Sequence, residues 1–415
     1  MARIVPRRAR RLWAYWRAEQ RTLRQGFVAL VLSTLASFVA GLTLSHITST
    51  LTALPGLLVL VPAAVGMRGT IFGAIGARLG TSIHAGLFEP NLRRGGVLQQ
   101  NVEVAWITTL TSSLWLAALA RLASAIVDPQ GTISIWSLVT ISVVGGALGS
   151  VFILFVTVGM SVVSYRRGYD LDAVGTPLVT ALGDMATLPF LFVATYLVHN
   201  GIVNAIAAGA CVAATAYAVV RVATTDLPLV RRIVLEMTPV ILLTPLLDIA
   251  AGALLQSNQP GLAAVPAVLI LIPPFVSQAG ALGGILSSRM SSKLQLGVVS
   301  TRGWPEVPAL VDGSLVILFG LGIFTFIGGA AFALAHLTGL ANIPPAADLV
   351  GGTILAGLLI LPAILVVGYE LAVVSARFGL DPDDHSVPIV TSVMDLAGVA
   401  AVLAAMGVFG VAIHG

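Results

Sequence analysis

The chain has 415 residues, of which 57% are apolar and 10% charged, with a formal net charge of +4. A soluble domain carries about 25% charged residues, so this composition excludes an ordinary water-soluble fold and implies an all-α polytopic membrane protein. One cysteine, Cys211, excludes an intrachain disulfide, and no zinc, haem or iron–sulfur spacing, Walker loop or dinucleotide fingerprint occurs; an organic cofactor, ATP hydrolysis and enzymatic activity are therefore not expected.

Residues 1–25 form a basic arm with Arg3, Arg7, Arg8, Arg10, Arg11, Arg17, Arg21 and Arg24. It reads as a cytoplasmic anchor against anionic lipid headgroups, not as a nucleic-acid binding element, and the apolar stretch after it is long enough to be a retained helix. Apolar stretches then predict about eleven transmembrane helices, at 27–50, 55–88, 100–125, 133–163, 173–199, 202–222, 231–256, 262–297, 307–338, 347–376 and 385–413. With the N-terminus inside, Arg93, Arg94, Arg166, Arg167, Arg221, Arg231, Arg232, Arg302 and Arg377 all fall on the cytoplasmic side, as the positive-inside rule requires. The C-terminus then lies outside a multi-pass protein of the cell membrane.

The chain repeats itself. Asp170 to Asp184 and Asp381 to Asp395 share Asp-x-Asp, a proline, Val-Thr and a closing Asp, at an offset of 211 residues. Pro55, Pro62, Gly69, Gly73, Arg78 and Gly86 match Pro266, Pro273, Gly280, Gly284, Arg289 and Gly297 at the same offset. Constant self-similarity of this kind marks duplication. The expected units are the arm 1–25, a first five-helix repeat at 26–200, a linking helix and loop at 201–228, and a second repeat at 229–415. Six spans separate equivalent points, so the two repeats are parallel and related by a pseudo-twofold axis along the membrane normal.

A carboxylate in hydrocarbon is costly and is a functional candidate by default. Asp184 and Asp395 are the leading candidates, expected to face each other at the axis. Thr180 and Thr391, one turn before them, share their helical faces. Pro177 and Pro388 each leave a carbonyl without its helical partner, so these four residues are expected to line the path and contact the waters of a hydrated ion. Two facing carboxylates favour a divalent cation, and magnesium, held through retained water by one or two carboxylates, fits better than calcium with its six to eight oxygen ligands. Pairing of each acid with Arg78 or Arg289 is the structural alternative. Asp170, Asp172, Asp381 and Asp383 stand at the cytoplasmic mouth. Asn101 and its equivalent Asp312, with the unpaired acids Asp248 and Glu370, are possible secondary or coupling positions. Pro62 to Gly69 and Pro273 to Gly280 look like interruptions of their helices, of the kind transporters use for ligands.

On these residues the chain resembles the MgtE family of divalent-cation transporters. The resemblance rests on Asp381-Pro382-Asp383, Pro388, Thr391 and Asp395, and on Asp170, Asp172, Pro177, Thr180 and Asp184 in the first copy. It implies two fused membrane units, similar to the eukaryotic solute-carrier branch, in which a single chain builds the pseudo-dimeric pore without an obligate partner. It also implies a channel or transporter for Mg2+ as the transported ion. The soluble N-terminal and CBS domains of bacterial relatives are not recognised, so sensing by them is not expected. A sodium- or proton-coupled exchanger is the main alternative; a non-transporting scaffold or lipid-handling protein is the remote one.

Overall fold

The computed structural model describes residues 20–127, 133–167, 171–300, 305–378 and 382–411. Eleven helices among them are long and apolar enough to cross a membrane. They are α1 (Gln20–His46), α2 (Leu57–His84), α3 (Val97–Val127), α4 (Ile135–Arg167), α5 (Leu171–Thr195), α6 (Gly201–Thr224), α7 (Pro228–Ser257), α8 (Pro266–Gln295), α9 (Val307–Leu337), α10 (Ala346–Phe378) and α11 (Pro382–Val408). The described residues contain no strand, as expected where every backbone group must be satisfied within its own segment.

The duplication is visible in the helix ends. α1 and α7 end 211 residues apart, at His46 and Ser257, and so do α2 and α8, at His84 and Gln295. α4 and α10 match at both ends. Short helices Thr48–Ala53 and Gln259–Ala264 follow α1 and α7 at the same offset, each stopped by a residue with nearly the same backbone, Leu54 (φ −124, ψ 72) and Val265 (φ −126, ψ 72). The expected single span at 262–297 is thus divided at Val265. After α2 and α8 the chain turns at Gly86 (φ 69) and Gly297 (φ 68). In both, the residue after the glycine donates back to the helix, Leu87 N to Ser82 O at 2.9 Å and Val298 N to Lys293 O at 2.9 Å. This is a left-handed helix stop that glycine enters without a Cβ penalty.

α6 has no counterpart. Asn200 caps it, accepting from the amides of Ile202 and Val203 at 3.0 and 3.3 Å. Asn204 fixes it to α4, accepting from Thr140 Oγ1 at 2.7 Å and donating to Ser137 Oγ at 3.0 Å. It packs on α3 and α4 and leaves most of its apolar surface outward, as a linking helix at the rim would.

The halves exchange contacts. α1 packs on α8 and α7 on α2, while α5 and α11 each lie against α2 or α8 of their own half. The crossings need glycine: a Cβ on Gly41 would stand 2.1 Å from the Ile270 carbonyl oxygen, and one on Gly252 would stand 2.2 Å from that of Val59. Ile270 and Val59 are themselves equivalents, so the same contact is made twice in opposite directions. One structural expectation fails: α2 runs unbroken through Pro62, and α8 through Pro273 and Pro274. Each proline removes a single N–H near the start of its helix, and the helices packed around it carry the segment through.

Candidate ion site

The swapped crossings bring three helices to each of two equivalent places. In the first, Asp184 on α5 meets Ser37 on α1 and Ser277 on α8. Ser277 Oγ donates to Asp184 Oδ2 at 2.6 Å and Ser37 Oγ donates to the same oxygen at 3.0 Å. The two hydroxyls stand 3.3 Å apart. Ser277 comes from the other half, and a second bond crosses beside it, Gln278 Nε2 to Ser33 Oγ at 2.7 Å.

At the equivalent place the chemistry changes. Asp395 on α11 corresponds to Asp184, but Asp248 on α7 stands where the first half has Ser37, and Gly66 on α2 stands where the second half has Ser277. Two hydroxyls are lost and a carboxylate gained. Both acids close on Gly66: Asp248 Oδ2 and Asp395 Oδ2 would lie 3.1 and 3.3 Å from a Cβ placed there. Asp248 is fully buried, with the Ser392 hydroxyl and the Asp395 carboxyl as its polar neighbours. Asp395 lies within electrostatic reach of both Asp248 and Asp184.

No lysine or arginine among the described residues forms an ion pair with Asp184, Asp248 or Asp395. The pairing alternative fails for both arginines considered. Arg78 reaches Met237 sulfur at 3.6 Å, and Arg289 pairs with Asp312. Asp184, Asp248 and Asp395 are thus three buried carboxyl groups without a basic partner among the described residues. Among the described residues no group of three or more acidic, histidine or cysteine side chains converges tightly enough to hold a bare metal ion.

The remaining sequence candidates divide. Thr391 is half-buried, with its hydroxyl donating to the Val387 carbonyl at 2.9 Å and its methyl against Gly280. Pro388 lies within α11. Asp172, Pro177, Thr180 and Asp383 lie on described helical backbone, at the starts of α5 and α11. Asp170 and Asp381 fall outside the described residues. Glu370 faces outward on α10, apart from the central acids.

Asp312 is fully buried and held by Arg289 at 3.1 Å and Lys293 at 2.5 Å. Its charge is compensated, unlike those at the centre. The first half keeps the arginine, Arg78, but has Asn101 and Ser82 at the equivalents of Asp312 and Lys293, so acid and lysine occur together in one half and are both absent from the other. Asp312→Asn should therefore destabilise the protein by about 1–3 kcal/mol, since it takes a charged hydrogen-bond partner from the half-buried Arg289 and Lys293. Adding Lys293→Ser should recover much of that loss. Thermal unfolding of the two variants measures both, and equal stability of single and double variants would show that the pair is not coupled.

The serines escape sequence reading because nothing local marks them; the offset that equates Ser37 with Asp248 and Ser277 with Gly66 becomes informative once the crossing of the halves is known.

The chain is 23% identical over 400 residues to solute carrier family 41 member 3 of Rattus norvegicus, covering 91% of this chain and 85% of the relative. It is 24% identical to the Mus musculus protein of the same name over 369 residues (82% and 73%), and 22% identical to solute carrier family 41 member 2 of Xenopus laevis over 387 residues (82% and 63%). No solved structure matches. The MgtE family model, described as a divalent cation transporter, matches twice, over residues 61–194 and 272–405. The two matches are separated by the same 211 residues that relate the aspartates, and the chain belongs to the MgtE family of divalent cation transporters, not to the enzymes.

Proposed function

We propose that the chain carries Mg2+ along the axis between its two halves. Asp184 and Asp395 hold the ion through its water shell, and Thr180, Thr391 and helix carbonyls near Pro177 and Pro388 contact those waters. The observation that carries this reading is the set of buried, uncompensated carboxylates contributed by both halves. The acids of the two helix starts, Asp170, Asp172, Asp381 and Asp383, would concentrate cations at the mouth. The charge pattern of the loops supports a cytoplasmic N-terminus and an outer C-terminus in the cell membrane, and two fused units supply a twofold path from one chain. Uptake of Mg2+, Mn2+ and Ca2+ into liposomes containing the purified protein tests the assignment. Mg2+ entry above protein-free liposomes is expected; absence of any divalent flux would overturn it.

Asp248 favours a second reading, coupled exchange. It adds an acid to one half alone, against Asp395, where a proton or Na+ would relieve the repulsion. Under this reading an imposed Na+ or proton gradient changes the rate of Mg2+ uptake. Asp248→Ser, which gives the second half the residue of the first, should keep Mg2+ flux while abolishing that response. A gradient response unchanged in the variant would remove Asp248 from coupling, and no response in the parent protein would leave the channel reading.

A further inference from the structure

A second buried charge lies away from the acids. Arg68 on α2 is 4% exposed, and its side chain turns from the axis into the bundle formed by α2, α3 and α4 of the first half. Its Nη1 donates to the Ala64 carbonyl at 2.7 Å, whereas its Nε is buried with no partner. No carboxylate among the described residues lies at ion-pair distance from it. An uncompensated guanidinium inside a membrane protein is as costly as a carboxylate there.

The surroundings are built for it. Arg68 borders a cavity of about 10 Å³, enough for one water-sized species, shared with the hydroxyl-bearing residues Thr109, Ser112, Ser113 and Ser150. Glycines open the space: a Cβ on Gly146 would stand 2.9 Å from Arg68 Nη2 and 2.4 Å from Ser113 Oγ, and one on Gly149 would stand 3.2 Å from Arg68 Nε. Thr109 Oγ1 donates to Ser150 Oγ at 3.0 Å, which leaves the Ser150 proton free to point elsewhere.

The other half supplies the control. Arg68, Thr109, Ser112, Ser113 and Ser150 correspond to Ala279, Gly320, Ile323, Phe324 and Leu361. Every polar group is gone, and Phe324 fills the space by stacking on Phe275 at 4.6 Å and pressing on Gly357. The positive charge and its ring of hydroxyls thus occur together in one half and are absent together from the other.

We infer that Arg68 and the hydroxyls of Ser113 and Ser150 form a site for one small monovalent anion, of the halide class, within the first repeat. The ligand neutralises a guanidinium that has no counter-ion among the described residues, accepts from Nε, and takes hydroxyl protons in place of water. It is separate from the cation path, so its presence does not depend on the ion carried there.

The test uses the purified full chain. Melting temperature is measured in chloride and in gluconate at equal ionic strength and without divalent cations. A saturable rise of about 2–5 °C in chloride is expected for the parent protein, smaller in Ser150→Ala and absent in Arg68→Met. Equal melting in chloride and gluconate, or an undiminished chloride response in Arg68→Met, would overturn the inference and assign the cavity to water. Should Arg68→Met fail to fold, chlorine-35 line broadening on the parent protein decides: broadening that bromide displaces supports the site, and none refutes it.

Discussion

Asp184→Ala and Asp395→Ala should each reduce Mg2+ uptake by about 10- to 100-fold, since each removes charged contacts worth about 1.5–3 kcal/mol. The fold should survive in both. Removing the Asp184 carboxylate leaves Ser37 and Ser277 already 3.3 Å apart and able to bond to each other. Removing the Asp395 carboxylate relieves its repulsion with Asp248, so this variant should melt higher than the parent when divalent cations are absent. Mg2+ should raise the melting temperature of the parent by linkage and have less effect on either variant. Liposome flux and thermal unfolding read these outcomes, and parent-like flux in both variants would remove the two aspartates from the path.

The duplication made these acids legible. One aspartate in an apolar stretch has many explanations, whereas two at a fixed offset, each with its threonine and proline, share one. Span number and the unpaired α6 were equally readable, because length and apolarity set them. The partners were not. Asp248 and Glu370 look alike as sequence, each an isolated acid in an apolar helix; the structure buries the first against Asp395 and turns the second outward. That difference depends on which helix each faces, and helix neighbours come from packing between halves, which no local pattern encodes. The prolines misled for a related reason. Pro62 and Pro273 signal a break when a helix is considered alone, but packed neighbours hold α2 and α8 continuous.

The departure from twofold symmetry follows one scheme. The first half carries Ser37, Arg68, Asn101 and Ser82, and the second carries Asp248, Ala279, Asp312 and Lys293 at the same places. Around Asp395 the second half adds a carboxylate, whereas the first half sets a buried positive charge among hydroxyl-bearing residues between α2, α3 and α4. A cation at the axis would thus be drawn toward the Asp248–Asp395 side while Ser37 and Ser277 orient Asp184. Duplication supplied the frame, and substitution of a few polar residues made its halves different.

The frame itself should be sensitive at Gly41 and Gly252. A methyl at either position meets a backbone carbonyl, at 2.1 Å from Ile270 O or 2.2 Å from Val59 O, and a backbone atom inside a packed helix cannot move aside as a side chain can. Gly41→Ala must separate α1 from α8, and Gly252→Ala must separate α7 from α2. Overpacking of a tight interface typically costs about 1–3 kcal/mol, more where backbone has to shift, so each variant should lose at least that much stability in thermal unfolding. Because the contact is the same one made twice, the two losses should be similar, unlike the unequal effects expected at the Ser37 and Asp248 pair. Each crossing also positions the adjacent site: α1 and α8 carry Ser37 and Ser277 to Asp184, and α2 and α7 carry Gly66 and Asp248 to Asp395. Gly41→Ala should therefore impair flux by disturbing the serine-held acid, and Gly252→Ala by opening the paired acids, in fractions of protein that remain folded. Alanine variants that melt and transport like the parent would show that the crossings are looser than these distances require and that the halves are held together elsewhere.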